Sequence, residues 1–586
     1  MQTQSLPPLP WMAEPILPDT PMEPRALLHA YAQLRGAKTE GEIEAFLSPS
    51  PALTNPLVAM SGLSRAIHRV SQAIEKGETI TVFGDYDCDG VTSSVLVRDV
   101  LLAAGHPTGS LRCYIPDRMI EGYGLSLKAA SACIERQHPT LIIAVDCGSN
   151  SFETIAWLKG QGIDVIVIDH HSVLPSPEGK HPAYAHLNPK AEFGLNPAVT
   201  QDATTLSAAG LCYFFAESIA SVLEVPTWER DRALILGGLG SLVDVMPLVG
   251  TNRALVKYAL ALANNPDVLR SIPGLAALGM ASKLKAFSTY AFGFVVGPCL
   301  NASGRLEHAR TAVQLLSTRR IEKAKPLAEQ LVATNNERKQ IQERILDEAT
   351  AQAAQFMEAW PETKVLFLAQ EDWHPGIVGI VAGRIREQFR RPAIVAARME
   401  DGFWKGSARS IPGFDLGALV TKAVAAGILA GGGGHAAAAG VKFTAEQHPK
   451  IHEWLLRETR DIEIETVTTY PILGDADGLP VDESAEVLEA LSPFGMGNPT
   501  PYFTLENAVL CWGPKELTRR SDSSVWALKA GFRTRIGTLF VTWANEEQAR
   551  AVWREGANYR MVLRFSRSNN AQGVFDEWTV LACSQS

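Results

Sequence analysis

Residues 79–105 read TITVFGDYDCDGVTSSVLVRDVLLAAG: an apolar strand, a burst of aspartates and then a helix-like run. The same strand pattern recurs in RCYIPD (112–117), TLIIAVD (140–146) and DVIVIDHH (164–171), with helical segments between, among them SRAIHRVSQAIEKG (64–77) and LSLKAASACIER (125–136). Continuous Val and Ile runs separated by helices predict a parallel sheet covered on both faces, so the fold class is α/β.

The aspartates carry the chemistry. Asp85, Asp87 and Asp89 alternate at a strand end, and period-two spacing predicts that all three carboxylates share one side. Gly90 is expected to permit a tight turn, and Thr92 or Ser93 to cap a helix beginning around Val95. Three like charges this close are unfavourable unless cations sit between them. An EF-hand calcium loop opens in the same way, but its twelfth position demands Glu where this chain has Leu96, and it follows a helix rather than a strand. Two more strands end in similar groups, delivering Asp146 and then Asp169, His170 and His171, while Asp244 in GLGSLVDVMPL adds a carboxylate from a separate segment. Asp also caps turns at strand ends without any further role, but recurrence at several strand ends favours a shared site. In an open parallel sheet the ligand crevice lies beyond the carboxyl ends of the strands, where these clusters would converge. Several Asp with one or two His and no thiolate suit Mn²⁺ or Mg²⁺, and there are donors enough for two ions. Such a pair, roughly 3.5–4 Å apart, can activate water and clamp a phosphodiester.

After a mostly helical passage from about 202 to 318, residues 319–358 show long helical periodicity and are expected to form a connecting helix. A second α/β pattern follows in KVLFLAQ, GIVGIVAGRIREQF and PAIVAAR, reaching the glycine-rich run near 431. Residues 423–441 carry no charge, yet their many glycines make a poor spanning helix, so no membrane segment is expected. Beyond about 465 come short strands, VLCWGPKEL, SVWALKAGF, RIGTLFVTW, YRMVLRFSR and DEWTVLAC, which predict a small OB-like β-barrel. That part carries eleven cations (Lys515, Arg519, Arg520, Lys529, Arg533, Arg535, Arg550, Arg554, Arg560, Arg564 and Arg567) against eight acids, although the whole chain is −9. Trp512, Trp526 and Trp543 could stack bases, but in strands such residues are more often core.

The composition, 46% hydrophobic and 20% charged over 586 residues, is that of a multi-domain globular protein. The eight dispersed cysteines include no CxxC pair, which argues against a zinc ribbon or disulfide framework, and Cys88 is expected to pack behind the strand. With a proline-rich start unlike a signal peptide, these features predict a cytoplasmic protein.

GDYDCDG, VDCG, DHH and VDVMPL, in this order, resemble the four signature motifs of the DHH phosphoesterases. The longer set YIPDRMIEGYGL, LNASGRLEHA, WHPGIVGIVAGRIRE, KGSARSI, GGGGHAAAAG and FGMGNPTP is similar to the RecJ-type single-strand exonucleases of that family. The resemblance implies a leader over 1–55, a DHH domain over 56–318, the connecting helix over 319–358, a DHHA1-type substrate-binding domain over 359–460 and an OB-fold-like nucleic-acid-binding domain over 461–586. It implies Asp87, Asp89, Asp146, His170 and Asp244 as ligands of two divalent ions, with Asp146 bridging, Asp85 in support, Asp169 alongside and His171 facing the scissile phosphate. Small pyrophosphatases of the superfamily place a histidine where this chain has Phe83, which leaves the first ion's ligand set open, with Asp85 a candidate. Ser407, Arg409, His435 with Gly433 and Gly434, Arg305 and Arg118 would contact the substrate. His374 is a further candidate, although a histidine before Pro-Gly also shapes turns, and GGGGHAAAAG taken alone also reads as a linker.

The implied activity is degradation of single-stranded DNA from 5′ to 3′ with release of 5′-mononucleotides, in DNA recombination and repair, by a monomer. A single-strand-binding protein and a RecQ-type helicase are the implied partners. The alternatives are a DHH phosphodiesterase of short oligonucleotides or cyclic dinucleotides, whose chains are generally shorter, and a non-catalytic replication scaffold, which would lose the acidic ligands retained here.

Overall fold

The computed structural model describes residues 11–15, 24–49, 53–118, 120–464, 468–476, 481–518, 524–534, 537–544, 546–570 and 573–585. Arg519, Arg520 and Arg535 lie outside the described residues, as does most of the proline-rich start, and the side chain of Arg567 is likewise not described. Two compact units are present: residues 1–304 with 308–331 and 468–586, and residues 305–307 with 332–467.

In the first unit a five-stranded parallel sheet runs in the order Leu111–Tyr114, Ile80–Gly84, Leu141–Val145, Asp164–Ile168, Ala185–Leu187. The predicted parallel sheet is therefore present. This sheet's first and third strands in chain order, Ile80–Gly84 and Leu141–Val145, are direct neighbours, so this is a doubly wound arrangement whose strand order reverses between them. Phe83, Ile142, Ala144, Val165 and Val167 join a core with Ala129, Ala130 and Cys133 from helix Leu127–Gln137 and Ile155 and Leu158 from helix Phe152–Gly160. Helix Cys88–Ala103 packs against the first strand and against helices Ala208–Val222 and Arg230–Val243.

The loop after Gly84 departs from expectation. The strand ends at Gly84, and the helix starts at Cys88 rather than near Val95. Its cap is Asp87, not Thr92 or Ser93: Asp87 Oδ1 accepts from the amides of Asp89 and Gly90 at 3.0 and 3.2 Å. Gly90 makes no turn. It lies inside the first helical turn, where a Cβ would come within 2.5–2.7 Å of the Asp85 backbone. Cys88 sits in that same turn rather than behind the strand, 1% exposed, and its amide donates to Asn301 Oδ1 at 2.7 Å.

At the C-terminal end, strands Tyr502–Thr518, Val525–Thr534, Gly537–Trp543, Gly573–Gln585 and Asn558–Asn570 pair in that order, and the last pairs back to the first, closing an OB-like barrel. Trp543 belongs to its core, while Trp512 and Trp526 are 44% and 39% exposed. The N-terminal leader does more than pack on the first domain. Asn55 donates to Phe214 O at 3.1 Å, but Leu27, Ala30 and Tyr31 of helix Pro24–Leu34 enter the barrel core beside Phe503 and Leu505. The segment FGMGNPTP lies against the chain after Asp244: the Leu248 amide donates to Met496 O at 2.7 Å.

The long helix spans Ile321–Ala359. The second unit holds a five-stranded sheet in the order Gly431–His435, Ala438–Phe443, Trp404–Arg409, Ala393–Arg398, Leu366–Gln370, in which only the last pair is parallel. The glycine run is thus a hairpin strand, not a linker. No described helix is long and apolar enough to cross a membrane.

Candidate active site

The crevice opens where the sheet's strand order reverses, and the acidic groups gather there. Asp85 and Asp87 follow one flanking strand, and Asp146 follows the other, held at φ +59° at the strand's carboxyl end. Ligand atoms of Asp85, Asp87 and Asp146 lie within 4.8 Å of one another, as do those of Asp89, His170 and Asp244 and those of Asp146, Asp169, His170 and His171, so Asp146 and His170 each belong to two groups. His170 Nε2 is 3.3 Å from Asp146 Oδ1, 3.5 Å from Asp244 Oδ2 and 3.7 Å from Asp89 Oδ2. The three alternating aspartates fall in different but overlapping donor groups, and the charges of all three bear on Asp146. The chain turns helical at Cys88, which leaves Asp85 and Asp87 in one cluster and delivers Asp89 to another, with Asp146 between them.

Each carboxylate is positioned by local structure. Asp89 accepts from the amides of Ala208 and Ala209 at 2.9 and 2.8 Å, at the start of helix Ala208–Val222, where the helix dipole favours negative charge. Asp244 ends helix Arg230–Val243, and the next residue, Val245, sits at φ +60°. A β-branched residue in the left-handed region is strained, and such strain is typical of functional sites. Asp169 differs from the rest. Its Oδ1 accepts from the amides of His170 and His171 and bonds His171 Nδ1 at 2.7 Å, and its Oδ2 accepts from the Ser149 amide, so it holds the histidine loop and orients the His171 ring.

Burial, reinforced by the charge of neighbouring aspartates, pushes the carboxyls of Asp85, Asp89, Asp146 and Asp244 upward. Burial and the adjacent His171 charge pull His170 down to about 3, leaving a neutral imidazole fit to ligate. Burial also pulls on His171, but its hydrogen bond with Asp169 prevails and carries it up to about 9. Asp85 Oδ1, Asp146 Oδ1 and His170 Nε2 are buried without a hydrogen-bond partner. Buried orphan oxygens and an imidazole nitrogen without a partner are costly, and divalent cations held among these overlapping donor groups would satisfy them. The donors present therefore fit a metal centre.

Arg118 stacks over the Tyr86 ring at 4.8 Å, and its charge reaches Asp85. Several contributors carried no sequence signal. The backbone amides of Ala208 and Ala209 have no side-chain signature at all. Tyr123, whose hydroxyl lies 3.3 Å from His171 Nε2, was visible only as part of YIPDRMIEGYGL. Asn188 donates to both Ser149 Oγ and His171 O at 2.8 and 2.9 Å, which supports the histidine loop from behind.

In the second unit, strand register collects the remaining candidates. Gly433 pairs with Gly440, which pairs with Ser407, and His435 pairs with Ala438, which pairs with Arg409. Directly opposed residues point to the same face, so Ser407, Arg409 and His435 share a surface on which Gly433 and Gly440 have open space above them. Gly434 points to the other face, at φ +157°, where a Cβ would meet Ala438 O at 2.3 Å. Arg409 Nη1 donates to Ser407 Oγ at 3.0 Å, and both side chains lie beside Gly379 in the first turn of helix Val378–Phe389. His374 Nδ1 accepts from the Gly376 amide, and Arg305 donates to Gly376 O, so these two shape the turn leading into that helix. A guanidinium, a hydroxyl and a helix N-terminus beside open glycines are groups of the kind that suit an anion.

Two family models match this chain: the DHH family, N-terminal domain, at residues 79–233, and the DHHA1 domain at 362–459. The doubly wound sheet with its aspartate and histidine cluster accordingly defines a DHH-class protein. The single-stranded-DNA-specific exonuclease RecJ of Bacillus subtilis is 34% identical over 81% of this chain, which spans 58% of that relative's length. RecJ of Haemophilus influenzae is 31% identical over 77% of this chain and 78% of its own length. Crystal structures of RecJ from Thermus thermophilus with Mn²⁺ and with Mg²⁺ match with TM-scores of 0.78 and 0.72 at 25% identity, covering 98% of this chain and 79% and 78% of theirs. The chain belongs to the RecJ family of single-stranded-DNA-specific exonucleases.

Proposed function

We propose that this chain hydrolyses single-stranded DNA from the 5′ end, releasing 5′-mononucleotides, with two divalent cations, Mn²⁺ or Mg²⁺, held by Asp85, Asp87, Asp89, Asp146, His170 and Asp244. The observation that carries the reading is the pair of donor clusters with Asp146 between them, whose buried oxygen and imidazole atoms lack protein partners. When bound, such cations lower the pKa of water and neutralise charge on a phosphodiester. His171, its Nδ1 held by Asp169, turns Nε2 toward Tyr123 and the crevice and binds a non-bridging oxygen of the scissile phosphate. Arg118 adds positive charge beside Asp85.

On the second unit, Ser407, Arg409 and His435 hold the strand's terminal phosphate, and Gly433 and Gly440 let the backbone come close. Arg305 and His374 act by holding the turn before helix Val378–Phe389. The barrel, with exposed Trp512 and Trp526, adds sequence-tolerant affinity for unpaired bases. In this reading the protein is a cytoplasmic monomer of recombination and repair, working with a single-strand-binding protein and a RecQ-type helicase. Retention of every acidic ligand separates it from a scaffold without activity.

The deciding experiment compares strands labelled at either end, with Mn²⁺ or Mg²⁺ present. A 5′-labelled strand should yield labelled mononucleotide at once, while a 3′-labelled strand shortens progressively. Release from the 3′ end first, or turnover confined to dinucleotides, would sink the reading.

A further inference from the structure

Between Asp267 and Glu307 the chain has 39 residues without a single Asp or Glu, although 63 acids occur in all. The stretch carries Arg270, Lys283, Lys285 and Arg305. Within it, Ala291–Val296 form a π-helical turn that continues directly into helix Gly297–Leu306. π-turns are rare and frequently fall at functional sites.

The C-terminal part of this helix is packed onto the metal centre. A Cβ on Gly297 would meet Val243, the neighbour of Asp244, at 2.7 Å; Asn301 Oδ1 caps the Cys88 amide; and a Cβ on Gly304 would meet the Tyr86 backbone at 2.6 Å. Ahead of this packed part, the π-turn carries Phe294 and, just before it, Tyr290, and both face solvent. Those two rings are stacked, with centroids 5.2 Å apart and planes at 21°, yet they are 67% and 68% exposed, Tyr290 and Phe294 respectively. Phe294 lies two turns, roughly 10 Å, from Asn301 along the helix axis. Lys283 and Lys285, both exposed, precede the pair. Two stacked aromatic rings left in water cost hydrophobic free energy that packing would have recovered, and they stand in a cationic stretch of sequence without acids that runs on into the helix packed on the metal centre.

We propose that Tyr290 and Phe294 form a base-stacking platform for the single strand, gripping unpaired bases beside the metal centre while Lys283 and Lys285 attract the phosphates. The proposal rests on the reading of the chain as a single-strand exonuclease. It would supply an affinity for bases, beside the phosphate contacts proposed for the metal centre and the second unit. Stacking on aromatic side chains accepts any base, because every base has a π-face.

The test measures binding of the full chain, with Ca²⁺ in place of Mn²⁺, to a labelled oligothymidylate and to an abasic strand of equal length. The wild-type protein should bind the oligothymidylate more tightly, and the Tyr290→Ala/Phe294→Ala variant should lose about tenfold of that preference, with KM for long strands rising in step. Tyr290→Phe should restore the preference, since the ring and not the hydroxyl does the stacking. Equal base preference in wild type and variant, at matched thermal midpoints, overturns the platform even if the protein degrades DNA. A shift in oligomeric state by light scattering with unchanged base preference overturns it in favour of a protein contact. Absence of any metal-dependent DNA degradation by the wild-type chain would instead count against the exonuclease reading itself.

Discussion

His170 Nε2 lies 3.3 Å from Asp146 Oδ1, and neither buried atom has a hydrogen-bond partner. Asp146 reaches this point because its backbone turns into the left-handed region straight after the strand, at φ +59°, which sets its carboxylate between the two donor clusters.

Asp146→Asn should therefore reduce Mn²⁺-dependent DNA degradation to background. The variant should remain folded, because it removes one of several mutually repelling buried carboxylates. Turnover on an end-labelled strand, with the far-ultraviolet circular dichroism spectrum as the folding control, checks both parts.

Metal should stabilise the wild-type chain. A ligand at a hundred times its Kd adds about 2.7 kcal/mol to folding stability, so Mn²⁺ titration should raise the thermal midpoint and EDTA should return it. In Asp146→Asn the rise should be largely lost. An equal rise in both proteins would place the bound ion elsewhere.

Gly240→Ala tests the support of Asp89. A Cβ there would meet Ala209 Cβ at 2.4 Å, Thr92 Oγ1 at 2.5 Å and Asp89 Oδ1 at 2.8 Å, so helix Arg230–Val243 would have to shift away from the carboxylate it helps to hold. Overpacking of this kind costs about 1–3 kcal/mol. A lower denaturation midpoint is expected together with weaker Mn²⁺ activation; a drop in stability alone would show that Asp89 adjusts freely.

Arg409→Ala removes the guanidinium that bonds Ser407. Loss of a charge-assisted bond to phosphate is worth about 1.5–3 kcal/mol, which corresponds to a rise in KM of roughly tenfold or more. Saturating DNA should recover much of kcat, and Arg409→Lys should rescue poorly, since a point charge does not reproduce the planar fork. Steady-state kinetics on 5′-phosphorylated strands resolve the two constants.

Asp169→Asn should leave the metal donors in place but release His171, whose Nδ1 would lose its acceptor. Changes to such supporting groups typically cost about 10–100-fold in activity. Wild-type turnover in this variant would show that His171 needs no orienting partner.

Much of this protein was legible in local pattern. Apolar runs of four or five residues ending in Asp85, Asp146 and Asp169 specified a parallel sheet with its functional groups at one end, and the residue types specified hard cations. The closed barrel was legible for the same reason, in short strands separated by turn residues. Local rules failed where a turn changed the geometry: the alternation of Asp87, Cys88 and Asp89 has the period of a continued strand, but Asp87 caps a helix whose first turn carries Asp89.

The sequence by itself determined which side chains are available and at which strand ends they stand, because a strand's period and an aspartate's donor chemistry are properties of neighbouring residues. Only the tertiary structure decided how the donors gather into overlapping groups, that Ala208 and Ala209 hold Asp89 through their amides, and that Gly433, Gly440 and Ser407 line up across three strands. These depend on pairings between residues far apart in the chain, and register and helix approach leave no periodic trace in the order of amino acids.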